Sequence, residues 1–167
     1  MSESIYWKKR CEFKYYRMAL VYGKTYAPNA KSILDVGGAD CGYLQWFDWI
    51  PFKQTVDLRV KTNTPGINSL RIDFMEYQPA RSFDVVLCLQ VLEHLVDPQL
   101  FAKKLLTTAP VVIISVPYKW PKNLCKFHTQ DPVDESKLEA WTGRPPTDGC
   151  IVMDKGIPRY VAAFAPL

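Results

Sequence analysis

The chain has 167 residues, of which 48% are hydrophobic and 23% charged, the balance of a soluble globular protein with a single core. No apolar stretch reaches the ~18 residues of a membrane span, and the charged, aromatic start MSESIYWKKRCEFKYY lacks the apolar segment of a signal peptide. The 21 Lys and Arg against 17 Asp and Glu never form a long basic run, which disfavours nucleic acid, and five cysteines without a CxxC pair disfavour disulfides or a zinc site and suit a reducing cytoplasm.

In chain order, residues 4–26 place aromatic and aliphatic side chains on one side (Tyr15, Ala19, Tyr22; Tyr16, Leu20) and predict one helix stopped near Pro28. Ser32–Val36 is a short buried strand, and a helix is expected over Tyr43–Trp49, ending before Pro51. A second strand covers Gln54–Leu58, a polar loop with the Pro65-Gly66 turn signal covers 59–69, and Leu70–Ile72 is a brief third strand. Phe83–Leu89 is the strongest strand, rich in β-branched residues. Pro98–Leu106 is helical, with Asp97 as N-cap and Pro98 at the first helical position. Val111–Val116 is another buried strand, 117–132 a long loop, and Ser136–Trp141 a short helix. Cys150–Met153 and Arg159–Phe164 would pair as a closing hairpin. Continuous apolar strands alternating with helices imply a parallel sheet covered on both faces, in one α/β domain.

The stretch SILDVGGADCGYLQWF, Ser32 to Phe47, ends a buried strand on an acid and continues into a turn almost without side chains. In an open parallel sheet, ligands bind beyond the carboxyl ends of the strands, where such a turn lets backbone approach a ligand. A helix beginning near Tyr43 would offer its N-terminal N–H groups to an anion. Read as Gly37-x-Ala39-x-x-Gly42, the turn suits a dinucleotide. Asp35 counts against that reading, because a carboxylate two residues upstream repels a pyrophosphate and attracts a cationic ligand. Asp57, 22 residues after Asp35, ends the second strand and can accept ribose hydroxyls of any nucleoside.

Read instead as Asp35-x-Gly37-x-Ala39, the turn resembles the first motif of the class I S-adenosylmethionine-dependent methyltransferases. LRIDFMEY, with Asp73-Phe74, and FDVVLCLQVLEHLVDP, Phe83 to Pro98, resemble later motifs of that family in the right order. The resemblance runs from Ile33 to Pro117, about half the chain. It implies a Rossmann-like, doubly wound, mostly parallel seven-stranded sheet whose C-terminal strand is reversed. Residues 1–27 would be an N-terminal helical segment, 32–116 the cofactor core, and 117–167 an acceptor-side loop, helix and hairpin. The implied cofactor is S-adenosyl-L-methionine. Its amino-acid end would lie on Asp35, Gly37, Gly38 and Ala39, its ribose on Asp57 beside Leu58, its adenine on Asp73 and Phe74, and its methyl near Gln90. Ala39 replaces the family's usual second glycine, and Gly42 comes one residue late, which leaves its role open.

Methyl transfer is largely a matter of positioning the nucleophile, with a base where the acceptor carries a proton. The two histidines are the candidate bases, each with a structural alternative. His94 follows Gln90 by four residues and could equally be bonded to nearby backbone, with Glu93 as a local hydrogen-bonding partner. His128 lies in the loop after the fifth strand and could equally be a loop anchor. Tyr118, Lys119 and Trp120 could line an acceptor pocket or fold back onto the sheet. The aromatic N-terminal helix, with Lys8, Lys9 and Arg10, suits base stacking less well than packing over the cofactor mouth. The expected acceptor is small, a sugar or natural-product intermediate. No membrane partner and no metal are expected, and a homodimer is left open. Two rival readings stand beside this one: a nicotinamide-dinucleotide enzyme, and a non-catalytic methyltransferase-like interaction module.

Overall fold

A computed structural model describes residues 5–166; residue 4, at the start of the predicted N-terminal helix, lies outside them. The chain runs α1 (Ile5–Lys8), α2 (Lys14–Tyr26), β1 (Ser32–Val36), β2 (Phe52–Asp57), β3 (Asn68–Arg71), β4 (Val85–Leu89), α3 (Pro98–Thr108), β5 (Val111–Pro117), α4 (Glu135–Thr142), β6 (Asp148–Asp154) and β7 (Ile157–Phe164). The strands form one seven-stranded sheet in the order β3-β2-β1-β4-β5-β7-β6. The first five in that order are mutually parallel, while β7 lies antiparallel between β5 and β6. This is the expected Rossmann-like sheet with its reversed final strand. From β1 the chain steps outward to β2 and β3, then returns to β4 on the other side. The switch point therefore falls between the carboxyl ends of β1 and β4.

Period-two alternation sorts the strand side chains onto two faces. Leu34, Val36, Val86, Cys88, Val112 and Ile114 join one core, covered by Phe101 and Leu105 of α3 and by Leu138 and Trp141 of α4. Ile33, Val85, Leu87, Val111 and Ile113 join the other, covered by Tyr15, Tyr16, Ala19 and Tyr22 of α2. Both faces being dry, β1, β4 and β5 are buried at every position and read as largely apolar runs, interrupted in β1 by Ser32 and Asp35 and in β5 by Ser115.

Two expectations are corrected. The single helix over 4–26 is broken: residues 9–13 turn the chain, and α2 begins only at Lys14. A continuous helix would be roughly 35 Å long and would carry Trp7 away from the sheet. The break folds Trp7 back onto Tyr16, Tyr43 and Trp46, with ring centroids at 5.3, 6.1 and 5.4 Å. Tertiary packing of one aromatic thus outweighs local helix propensity.

The helix expected over Tyr43–Trp49 is a 3₁₀ turn confined to Gly42–Trp46. Because α2 already covers this face of the sheet, the segment is drawn inward. Tyr43, Leu44 and Phe47 are all buried, and Phe47 fills the space a Cβ at Gly23 of α2 would need, 2.6 Å from its Cε1. So short a turn offers no helix-dipole site for an anion, and that part of the expectation is withdrawn. The capping of α3 is as expected: Leu100 N–H donates to Asp97 Oδ1 at 3.1 Å.

Candidate active site

The carboxyl ends of β1, β2, β3 and β4 bring Asp35, Asp57, Asp73 and Gln90 to one edge of the sheet. Asp35 pairs with Thr55 of β2 and Leu87 of β4, at the centre of the parallel region. Its side chain is buried and accepts a hydrogen bond from the Tyr43 hydroxyl. Burial outweighs that bond and pushes the Asp35 carboxyl up to about 7, with the Asp57 charge adding in the same sense. Tyr43 is itself held by ring contacts to Tyr16 and Trp7. The aromatic N-terminal residues therefore buttress the acid from behind.

The turn above Asp35 leaves no room for side chains. A Cβ at Gly38 would fall 1.8 Å from Asp35 Oδ2, so only glycine lets the backbone lie on the carboxylate. Gly37 has φ +76° and faces Val91, whose Cγ2 would be 2.7 Å from an added Cβ. That contact sets the first turn against the one after β4. Ala39 adopts φ 51°, a left-handed conformation that L-residues with a Cβ seldom take. Gly42, whose role the motif left open, packs under Trp7: its Cβ would be 2.9 Å from the indole Nε1.

Asp57 is used more heavily by its own protein than a ribose site suggests. Its Oδ2 accepts from Ala39 N–H at 3.0 Å, and its Oδ1 from Arg59 N–H at 2.8 Å and Val60 N–H at 2.9 Å. A carboxylate has about four acceptor positions, so three are engaged in joining the two turns. Leu58, next to it, is an exposed apolar surface. Asp73 follows β3 directly, where Ile72 N–H donates to Asp57 O at 3.0 Å. Its Oδ1 accepts from Met75 N–H at 2.8 Å. The ring of Phe74 is buried against Phe101, centroids 4.9 Å apart, so its side chain belongs to the core.

Gln90 sits at φ 60°, a strained position for a side-chain-bearing residue at the mouth of β4. Its amide is tied down at both ends. Nε2 donates to Ser115 Oγ at 3.2 Å, and Oε1 accepts from Arg159 Nε at 3.0 Å. Arg159 belongs to β7, pairs with Asp154 at 3.4 Å and lies over the rings of Phe13, Tyr15 and Trp120. Sequence reasoning missed Arg159, because only the antiparallel insertion of β7 beside β5 brings it to Gln90. A buried arginine in an otherwise apolar strand was the available signal.

The two histidines, 34 residues apart in sequence, meet at 4.7 Å between ring centroids. His94 Nδ1 donates to Phe127 O at 2.9 Å, so the backbone-bonded alternative describes that nitrogen. His128 Nδ1 pairs with Asp131 Oδ2 at 2.8 Å, and its ring stacks on Trp120. Trp120 in turn donates to Pro158 O at 2.8 Å, and Lys119 N–H to Val133 O at 2.7 Å. This loop thus folds back onto the sheet. Glu93 was expected to be a local hydrogen-bonding partner; its backbone carbonyl accepts from Thr129 N–H at 2.9 Å, but its carboxylate plays no such part. It is fully buried, and neither carboxylate oxygen has a hydrogen-bond partner among the described residues. Burial pushes its carboxyl up to about 8 and lowers His94 from the ordinary imidazole value.

The strand order, the reversed β7 and the acid-glycine turn at the switch point define the class I methyltransferase fold. Solved structures agree. The chain superposes on a 1,6-didemethyltoxoflavin-N1-methyltransferase of Burkholderia thailandensis with TM-score 0.70 at 16% identity, covering 92% of this chain and 78% of that one. It superposes on the N-methyltransferase NodS of Bradyrhizobium japonicum with TM-score 0.69 at 12% identity, covering 95% and 90%. The methyltransferase domain of bacterial CtHen1 gives TM-score 0.63 at 18% identity, covering 92% and 98%. At these identities what is shared is the fold. No family model and no curated protein matches the chain.

Proposed function

We propose that this chain is an S-adenosylmethionine-dependent methyltransferase acting on a small acceptor. One observation carries the reading: the buried carboxylate of Asp35 lies under a turn where a Cβ would collide with it, at the switch point of the sheet. That cradle suits a ligand with a cationic end brought close to backbone, and repels a pyrophosphate. Of the structures that share the fold, the toxoflavin enzyme and NodS were both solved with S-adenosylhomocysteine, the product of that cofactor.

When bound, S-adenosylmethionine supplies an electrophilic methyl group on a sulfonium. The chain's own residues bind and orient. Asp35, with Gly37, Gly38 and Ala39, receives the ammonium end; the remaining acceptor position of Asp57 takes one ribose hydroxyl. Asp73 and the backbone at Phe74 meet the adenine, and exposed Leu58 offers the ring an apolar face. Gln90, fixed by Ser115 and Arg159, shapes the wall near the methyl. Nothing in these residues favours an oxygen acceptor over a nitrogen one, and two of the three fold relatives methylate nitrogen.

Calorimetric titration with S-adenosylmethionine, S-adenosylhomocysteine and NADH, repeated on Asp57→Ala, tests the reading. Saturable binding of both adenosyl ligands, weakened at least tenfold in the variant, is the expected result. Binding of NADH alone would return the dinucleotide alternative, and silence toward all three would leave the non-catalytic module.

A further inference from the structure

We propose that Glu93, His94 and His128 form a binding site for a divalent first-row transition-metal ion. One donor atom from each of the three lies within 4.8 Å of the others. Glu93 Oε1 stands 4.0 Å from His94 Nε2. No motif announces this cluster, because the histidines are far apart along the chain and no cysteine accompanies them.

Three independent features point to a cation there. The first is Glu93 itself. A carboxylate taken wholly out of water is costly unless a positive charge or hydrogen bonds meet it, yet both its oxygens are buried without a hydrogen-bond partner among the described residues. The second is the tautomer of each imidazole. Phe127 O can only accept, so His94 Nδ1 carries the proton and Nε2 keeps a lone pair. Asp131 Oδ2 accepts from His128 Nδ1 at 2.8 Å and does the same for that ring. A carboxylate or carbonyl on the far nitrogen is the outer-shell arrangement that orients metal-binding histidines.

The third feature is how the two segments are fastened. Thr129 N–H donates to Glu93 O at 2.9 Å, Gln130 N–H to the same oxygen at 3.3 Å, and Gln130 Nε2 to Leu95 O at 2.8 Å. Trp120 stacks on His128 and fixes its ring plane. The segments that carry the three donors are therefore fastened to each other beside the donors themselves.

Two imidazoles and one carboxylate suit Zn²⁺, Co²⁺ or Mn²⁺ better than Ca²⁺ or Mg²⁺, which prefer all-oxygen shells. Three protein ligands leave at least one coordination position for water or another oxygen ligand. Metal binding at this site does not depend on the methyltransferase reading, and its test uses no adenosyl ligand.

The experiment is titration of the EDTA-stripped full chain with Co²⁺ and Mn²⁺, read by calorimetry and by the visible spectrum of cobalt. One ion per chain and d–d bands of a nitrogen–oxygen site are expected. Glu93→Gln should abolish saturable binding, and Asp131→Asn, one shell out, should weaken it about 10–100-fold. Because a change at buried Glu93 could disturb folding, His94→Gln, on a half-exposed ring, serves as the second ligand variant, with far-ultraviolet circular dichroism as control. The proposal fails if neither ion binds saturably, if binding survives unchanged in folded His94→Gln, or if cobalt shows the near-ultraviolet charge transfer of a thiolate, which would place the ion on cysteine.

Discussion

Ala39 holds a left-handed backbone conformation that glycine would adopt freely. Such a position costs a residue with a Cβ about 1 kcal/mol, partly offset by glycine's larger unfolded-state entropy. Ala39→Gly is therefore expected to stabilise the chain by about 0.5 kcal/mol, seen as a higher urea midpoint at unchanged slope. Asp35 gives a second prediction, with a definite sign. Its folded carboxyl titrates near 7, against an ordinary 3.8. Between those values the unfolded chain holds fewer protons than the folded one, so this residue makes the ligand-free protein less stable as pH rises. Binding of a cationic ligand needs the carboxylate and runs the other way. Affinity for S-adenosylmethionine should fall up to about tenfold per unit as pH drops below 7, and Asp35→Asn should remove that slope. Calorimetry at pH 5.5, 6.5 and 7.5 reads the ligand effect, and thermal melts of the free protein the other. The placement of Asp35, Asp57 and Asp73 at strand ends was legible in the sequence because strand length and spacing fix it. What Asp57 bonds to was not. Its partners are backbone N–H groups on two turns, and their orientation depends on dihedrals that residue identity only biases.

At the scale of elements, the strands were read closely and the segments between them less well. An apolar strand buried on both faces announces itself wherever it lies, whereas a helix over the switch-point turn is needed only if nothing else covers that face. Here α2 does so, and the turn shrinks to Gly42–Trp46 with Trp7 closed over it. Trp7→Ala should thus cost about 3–5 kcal/mol, as for other buried aromatics, and should also weaken adenosyl binding, since Tyr43 and Asp35 lose their backing. Asp97→Ala removes only the cap of α3, on the opposite face. It should cost about 1 kcal/mol and leave binding untouched. Chemical denaturation with parallel ligand titration separates the two. If both variants weaken binding equally, the buttress from Trp7 through Tyr43 is wrong. The meeting of His94 with His128 was invisible for a related reason: a loop without periodicity carries no signal of where it returns.

For the whole molecule, the sequence-level hairpin near the C-terminus proved correct, but its position determines more than its pairing does. Because β7 lies between β5 and β6, the last residues of the chain complete the middle of one flank of the sheet rather than its rim. They also supply Arg159 to Gln90, and Asp148 to the hydroxyls of Tyr22 and Tyr26. A chain ending at Pro146 loses β6 and β7 together and uncovers Val112, Ile114 and Val116 of β5 along their hydrogen-bonding edge. It is expected to be unfolded or aggregated by circular dichroism and gel filtration, rather than a smaller native sheet.

That geometry also bears on how the protein is made. Tyr22 leaves the ribosome 126 residues before its partner Asp148, an interval of roughly 6–25 s at about 5–20 residues per second. Throughout it the apolar face of α2 has emerged while the β6–β7 flank it rests on has not been translated. Over that interval the part of α2 that faces β6 and β7, Tyr22 and Tyr26 with it, stays uncovered. The yield of folded protein in a cell should depend on chaperones that hold such a surface until β6 and β7 have emerged.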